Sequence, residues 1–402
     1  MRASFCIVLL ALLFLPLPLY TWDNGLLLDL SAEYNDFGMN SDKLDNLQFT
    51  GAAIPWFSTP LGAGKDIYIS VGITAEYQYQ DWTFIPELLR TELRFLFDND
   101  SILTAGRTQY TDPLGFVANG LFDGVQYSMD AGDGFFNAGL FYTGLLYKKN
   151  ASITMTEHDL ISYRTELDYS DFSNTYFAPR RLVAAVNWEN PGLAEYIMFN
   201  AALIGQFDLG DDSNFHSYYL MAKAAVPVKN FVFELGACAE LIDNNSNYQY
   251  SFAVEGGIIW YLPTALHDRL MFRGTFSPGV LNDTLVAFVP ITTVSQGYIL
   301  RAKLSGLSIL SLDYTARLRQ DLTLSVSNSY FILNDMGTYQ GVPLGRDGYF
   351  LGNELFAQAT WSPVSDIRLK LGSGVFIPFL GNADPQGDIL WRIELNVIFA
   401  VL

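Results

Sequence analysis

The last twelve residues, WRIELNVIFAVL from Trp391 to Leu402, alternate almost to the end. Trp391, Ile393, Leu395, Val397, Phe399 and Val401 are apolar, whereas Arg392, Glu394 and Asn396 between them are polar. Successive side chains of an extended strand point to opposite faces, so this period places grease on one face and water on the other. The pattern recurs along the chain. In IYISVGITAEYQYQ, Ile67, Ile69, Val71, Ile73, Ala75, Tyr77 and Tyr79 share a face opposite Ser70, Thr74, Glu76 and Gln78. In ELLRTELRFLF, Leu89, Leu93, Phe95 and Phe97 oppose Arg90, Glu92 and Arg94.

Tight turn chemistry and longer polar stretches bound these segments alternately. DNDS at 98–101, AGDG at 131–134, NPGL at 190–193, PVKN at 227–230, RQD at 319–321 and SPVSD at 362–366 carry the Gly, Pro, Asn or Asp that a hairpin requires. Slightly longer turns occupy 58–65 and 263–268, and the largest connections fall at 148–180, 278–305 and 334–348. Strands read between these marks number eighteen, starting at 26–34 and ending at 389–402, with the fourth at 87–97 and the seventh at 135–147, in an up-and-down meander. YILRAK, near residue 300, is either a further strand or a folded-in loop, so the count ranges from sixteen to twenty.

A soluble sandwich would show the same alternation turned inward. Half the residues are hydrophobic, 15% are aromatic and only 16% are charged, and the apolar face carries very few charges. Residues 1–21 read as a secretory signal peptide: Arg2, then an apolar run from Phe5 to Tyr20 broken by Pro16 and Pro18, shorter than the roughly 18 to 20 residues a spanning helix needs. Tyr34, Trp56, Phe97, Tyr127, Trp188, Trp260, Trp361, Trp391 and Phe399 lie near strand ends, as interfacial girdles would. Residues 22–402 are therefore predicted to form one transmembrane antiparallel β-barrel domain in a bacterial outer membrane. Its outer face meets lipid, and closure satisfies its edges.

Removal of the signal leaves Cys238 as the only cysteine, which excludes an internal disulfide framework. The formal charge of −19, with no basic stripe, speaks against nucleic acid as a partner. No nucleophile elbow, HExxH, C-x-x-C or phosphate-cradling loop appears, and His158, His216 and His267 are scattered. Neither catalysis, a cofactor nor a metal site is expected.

Two stretches carry a family likeness. AGRTQYTDPLGFVANGLFDGVQYS (105–128), with a Gly-Arg pair ending one strand and an Asp-Gly pair opening the next, resembles a hairpin of alginate-export-type outer-membrane channels. GNELFAQATWSPVSDIRLKLGSGVFIP (352–378) resembles the penultimate hairpin of that family and of the related substrate-selective porins. The matching residues are Arg107, Asp123 and Glu354. The resemblance implies a monomeric eighteen-stranded channel whose lumen is narrowed by inward loops and lined by arginines. Leu402 is out of phase with the lipid stripe, so Phe399 would serve the barrel-assembly machinery.

A barrel of sixteen to eighteen strands encloses water, so diffusion of small polar or charged solutes is the default activity. Strand parity assigns Arg90, Glu92, Arg94, Arg107, Arg269, Arg273, Glu354, Arg368, Lys370, Arg392 and Glu394 to the lumen as candidate selectivity residues. The basic groups favour the fourth, fifth and later strands, and the acids the first three and the eleventh and twelfth, which predicts a transverse field across a constriction. The competing reading is cross-strand pairs that only stiffen the wall. Two other functions fit the pattern: a barrel anchoring acidic loops, 148–180 above all, that bind an extracellular or host ligand, and an export channel for a polysaccharide or anion.

Overall fold

Backbone hydrogen bonding decides this architecture, because a sheet surrounded by lipid can leave no edge unpaired. A computed structural model of the chain describes residues 22–36, 46–78, 81–210, 214–335 and 348–401. The expected signal peptide, residues 336–347 of the expected loop 334–348, and Leu402 lie outside the described residues.

Eighteen antiparallel strands form one sheet. The first nine are β1 (Asp23–Asp36), β2 (Leu47–Gly62), β3 (Lys65–Gln78), β4 (Asp81–Leu96), β5 (Ile102–Thr111), β6 (Asn119–Ala131), β7 (Gly134–Tyr142), β8 (Arg181–Leu193) and β9 (Ile197–Asp208). The second nine are β10 (Phe215–Val228), β11 (Phe231–Asn244), β12 (Asn247–Tyr261), β13 (Arg269–Phe276), β14 (Leu307–Arg319), β15 (Leu322–Leu333), β16 (Phe350–Val364), β17 (Ile367–Ile377) and β18 (Leu390–Val401). Each strand pairs with its neighbours in sequence. β1 closes the barrel on β18 through a ladder from Leu26↔Val401 to Asp36↔Trp391.

The predicted count is met, and most boundaries fall within a few residues of the reading. The fourth strand starts six residues earlier than the expected position 87, because Trp82 and Phe84 continue the lipid-facing row. The seventh stops at Tyr142 rather than 147, where the chain turns inward. YILRAK is a loop rather than a strand, with one isolated bridge, Gln296↔Ala302, inside its own connection.

The opposition of faces is visible on the closing pair. Arg392 Nη1 donates to Tyr298 O at 2.6 Å, and Arg301 pairs with Glu33 at 2.8 Å. Tyr298 and Arg301 belong to the connection between β13 and β14, so the polar face of β1 and β18 looks toward a loop inside the barrel. The stripe from Trp391 to Val401 consequently faces outward, with Tyr34 against Trp391, ring centroids 5.0 Å apart. Trp361 stands on the outer face and donates from Nε1 to Asp321 at the turn between β14 and β15, as an aromatic at a water–lipid boundary does.

Two outward assignments are corrected. Trp56 lies opposite Ser70 on the luminal row and stacks on Tyr68, 6.0 Å between centroids. Leu89 occupies a bulge between the Ser70↔Arg90 and Val71↔Leu88 pairs, and it points inward against Gly72. An extra residue in one strand shifts the alternation by one, which a strict period-2 reading cannot register.

The β4–β5 ladder is short. It runs only from Thr91↔Arg107 to Leu96↔Ile102. From Asp81 to Arg90, β4 pairs with β3 alone, and the remainder of β5 pairs only with β6. The two strands diverge toward the long-loop end, leaving a seam in the wall. Gly106 stands at the point of divergence with φ +119°, where a Cβ would lie 1.8 Å from Thr91 O. Gly106→Ala should therefore disrupt the remaining ladder, adding backbone strain of about 1–3 kcal/mol to the clash. The check is the fraction of protein reaching the heat-modifiable folded band after refolding in detergent, which should fall sharply; wild-type yield would show that the ladder tolerates the side chain.

Candidate channel constriction

Three connections fold into the lumen and meet. The first joins β5 to β6. Asp112 accepts from the backbone N–H groups of Leu114, Gly115, Val117 and Ala118 at 2.8–2.9 Å, which winds 112–118 into a tight knot. Burial pushes the Asp112 pKa upward, against the four donors that hold the carboxylate charged. The knot presents Phe116, Val117 and Ala118 to an apolar core shared with Phe122, Phe141, Tyr219 and Phe288.

The second connection joins β7 to β8 and contains α1 (Lys148–Ala151), α2 (Glu157–Arg164) and α3 (Phe172–Tyr176). Thr156 caps α2 in a reciprocal capping box with Asp159. The Asp159 carboxylate also pairs with Arg181 of β8 at 2.5 Å, both side chains buried. His158, flanked by Glu157 and Asp159, lies on this helix, and among the described residues no group of three His, Cys, Asp or Glu side chains is placed to hold a metal.

The third connection, 277–306, crosses the lumen. On one wall, Ser251 Oγ donates to Val286 O, Tyr219 Oη to Val289 O, and Glu240 accepts from Val289 N. Midway, Thr292 N donates to Val117 O and Thr293 N to Ser152 O, fastening it to the other two loops. Lys303 Nζ donates to Thr154 O at 2.7 Å. Burial lowers the Lys303 pKa to about 8, against the opposing pull of Glu240 and Asp159, so the amine still carries its proton near neutrality. On the far wall Glu354 accepts from the N–H groups of Tyr298, Ile299 and Leu300 at 2.7–3.0 Å. Gly297 makes this approach possible: its φ is +84°, and a Cβ would lie 2.9 Å from Glu354 Oε2.

Between the knot, the crossing loop and β12–β15 lies a cavity of about 370 Å³. Its wall is polar, with Glu255, Arg273, Thr275, Ser311, Asp313, Ser327 and Ser329; its roof is Leu114–Phe116 and Val294–Tyr298.

The eleven charges singled out from the sequence separate into groups. Arg90 and Glu92 pair with each other at 2.7 Å, and the Arg90 guanidinium sits 4.8 Å from the Tyr68 ring centroid. Arg392 bridges Glu33 at 2.8 Å and also contacts Glu394. Glu354 is 1% exposed and serves as the loop anchor just described. Arg107 is corrected to the wall: it lies opposite Thr91, on the lipid side of the Arg90–Glu92 alternation, and reaches sideways into the seam. There it binds Asp123 through both Nε and Nη2 at 2.8 Å, Leu145 O at 2.9 Å and Leu88 O. Arg94, Arg269, Arg273, Arg368 and Lys370 have no carboxylate partner within ion-pair distance among the described residues. Arg94, Arg269, Arg368 and Lys370 sit toward the short-turn ends of β4, β13 and β17, and Arg273 sits at the middle of β13, in the cavity wall.

The luminal acids are mostly committed. Glu33 holds Arg301 and Arg392, Glu255 holds Lys223 at 3.1 Å, and Glu240 and Glu354 hold the crossing loop. Glu76, Glu234 and Asp313 are in no ion pair among the described residues, so the unpaired cations stand out by their grouping toward the short turns rather than by their number. Arg301, Tyr298, Asp112 and Lys303 were not marked by the sequence. Only Gly297 beside Tyr298, and Pro113 and Gly115 after Asp112, signalled tight backbone there.

No protein-family model matches the chain, and no curated protein matches its sequence. Solved structures do match. OccK5 (OpdH) of Pseudomonas aeruginosa superposes with a TM-score of 0.65 at 8% identity, over 94% of this chain and 98% of that one. The fold is that of the Pseudomonas Occ and OprD barrels. OccK2 (OpdF) of the same organism, in complex with glucuronate, gives 0.62 at 11% identity over 95% and 96% of the two chains. The outer membrane protein OprD of that species gives 0.59 at 13% identity over 94% and 93%. Of the two family likenesses read from the sequence, these neighbours support the substrate-selective porins and lend none to the alginate-export type.

Glu354→Ala removes the acceptor of three backbone donors. A loss of about 1–3 kcal/mol for buried groups left unpaired should free 296–302. Limited proteolysis within that segment should become faster and single-channel conductance should rise, with the barrel still folded; unchanged cleavage would show that the loop is held elsewhere.

Proposed function

We propose that the chain is an outer-membrane channel through which small hydrophilic solutes diffuse passively, with a preference for acidic ones. The closed barrel with an apolar exterior supports the first part: only such a wall satisfies every backbone group in lipid while enclosing water. The second part rests on one observation, the row of Arg94, Arg269, Arg273, Arg368 and Lys370 without carboxylate partners beneath a loop-narrowed passage. Cations presented by low-dielectric walls raise the local concentration of anions. A carboxylate solute leaving the constriction would meet this row next, and glucuronate, the ligand of OccK2, has suitable size and charge.

No covalent chemistry enters this reading. The chain works as a monomer, is exported on the signal 1–21, and is received by the assembly machinery through β18 and Phe399. Selectivity is axial: Arg94, Arg269, Arg273, Arg368 and Lys370 form the attracting row, while Arg90, Glu92, Arg392 and Glu394 stiffen the wall. The alternative of a ligand-binding loop on an inert anchor is less well supported, because loop 143–180 is fastened to the other inward loops.

In planar bilayers under a salt gradient the wild type should prefer chloride over potassium, and Arg94→Gln/Arg368→Gln/Lys370→Gln should move the reversal potential toward potassium. Cation preference in the wild type, or a potential indifferent to the triple substitution, would contradict the proposal.

A further inference from the structure

The seam between β4 and β5 lies in the half of the wall nearest the long loops and is closed by side chains instead of a ladder. On the β4 edge, Pro86 has no N–H to leave unpaired, and its carbonyl accepts from Tyr176 Oη at 2.6 Å. The carbonyl of Leu88 accepts from Arg107, which reaches across from β5. Ile85, Tyr147 and Tyr176 pack together in the gap, with the Tyr147 and Tyr176 rings 4.9 Å apart. Leu145 is 54% exposed, and Trp82 and Phe84 on β4 are each more than half exposed, so the filling is apolar like the exterior it interrupts. Behind it, on the luminal side, Asn150 donates to Glu87.

We propose that this seam is a lateral portal between the lumen and the bilayer, taking amphipathic molecules with a single apolar tail and a charged or polar head. Glu87 and Asn150 would face the head while the tail passes between Ile85, Tyr147 and Tyr176. Opening it breaks no strand pairing. Three contacts, Tyr176 to Pro86, Arg107 to Leu88 and Asn150 to Glu87, must separate, whereas parting laddered strands would break backbone bonds in lipid, where each unpaired group costs several kcal/mol.

The inference needs only the barrel and its inserted orientation. Full-length Leu88→Cys/Leu145→Cys, at two positions whose carbonyls Arg107 holds together across the seam, is reconstituted in a Cys238→Ser background into vesicles holding serum albumin. A fluorescent dodecyltrimethylammonium, whose permanent charge keeps it from crossing lipid quickly and suits the Glu87 carboxyl group, is added outside, and its brightening on the albumin is followed. Swelling in a small sugar is measured on the same vesicles. The protein should accelerate probe entry by about tenfold or more over protein-free vesicles, a barrier change of about 1.4 kcal/mol. A short bis-thiosulfonate cross-link should abolish that acceleration, reduction should restore it, and sugar swelling should persist throughout. Sugar swelling without accelerated probe entry, or probe entry indifferent to the cross-link, overturns the portal while leaving the channel standing. Loss of both signals overturns the two together.

Discussion

Closure of β1 onto β18 is the constraint from which the rest follows. A sheet with a free edge would expose a row of unpaired N–H and C=O groups to hydrocarbon, and the ladder from Leu26↔Val401 to Asp36↔Trp391 removes that row. Once closed, the wall fixes which side chains meet lipid. Apart from the paired and buried Arg107 and Asp123 in the wall, charges are then confined to the lumen, the loops and the rims, because a charged group in hydrocarbon is far more expensive than the same group in water. The closing pair is also where an interior loop takes hold: Glu33 of β1 and Arg392 of β18 grip Arg301 and Tyr298, so seam and constriction share one hydrogen-bonded network.

Much of the chain's polar chemistry serves to hold irregular backbone inside the barrel. Loops within a lumen have amide groups that the ladder cannot pair. Asp112, Glu240 and Glu354 supply acceptors, and Tyr219, Ser251 and Lys303 supply donors. A list of luminal charges made by strand parity therefore overstates the acids free to act on a solute, since several already hold a loop or a cation. A carboxylate already accepting two or three backbone bonds is poorly placed to attract a cation.

The barrel was legible because its two determinants are local. Period-2 alternation identifies faces, and Gly, Pro, Asn and Asp mark turns, so the eighteen strands could be placed with small boundary errors. Legibility ended where geometry is set by distant residues. The bulge at Leu89 shifts the phase of β4 by one residue, and Trp56 points inward, although both read as lipid-facing. Arg107 shares a face with Leu103 and Ala105 and passed for a luminal residue on its charge, and the early end of the β4–β5 ladder, which gives that charge a place in the wall, could not be read from either strand alone. Glu354 carried a family likeness, but its partners Tyr298 to Leu300 lie more than fifty positions away in a loop whose inward course has no periodic signal.

Orientation of the wall is the central claim, and β18 offers the most direct measurement. Single spin labels placed from 391 to 401, in the protein reconstituted into bilayers, report collision with lipid-soluble oxygen and with a water-soluble nickel chelate. Strict alternation is expected, oxygen dominating at Trp391, Ile393, Leu395, Val397, Phe399 and Val401 and the chelate at Arg392, Glu394 and Asn396. The opposite phase, or accessibility without a two-residue period, would contradict the account.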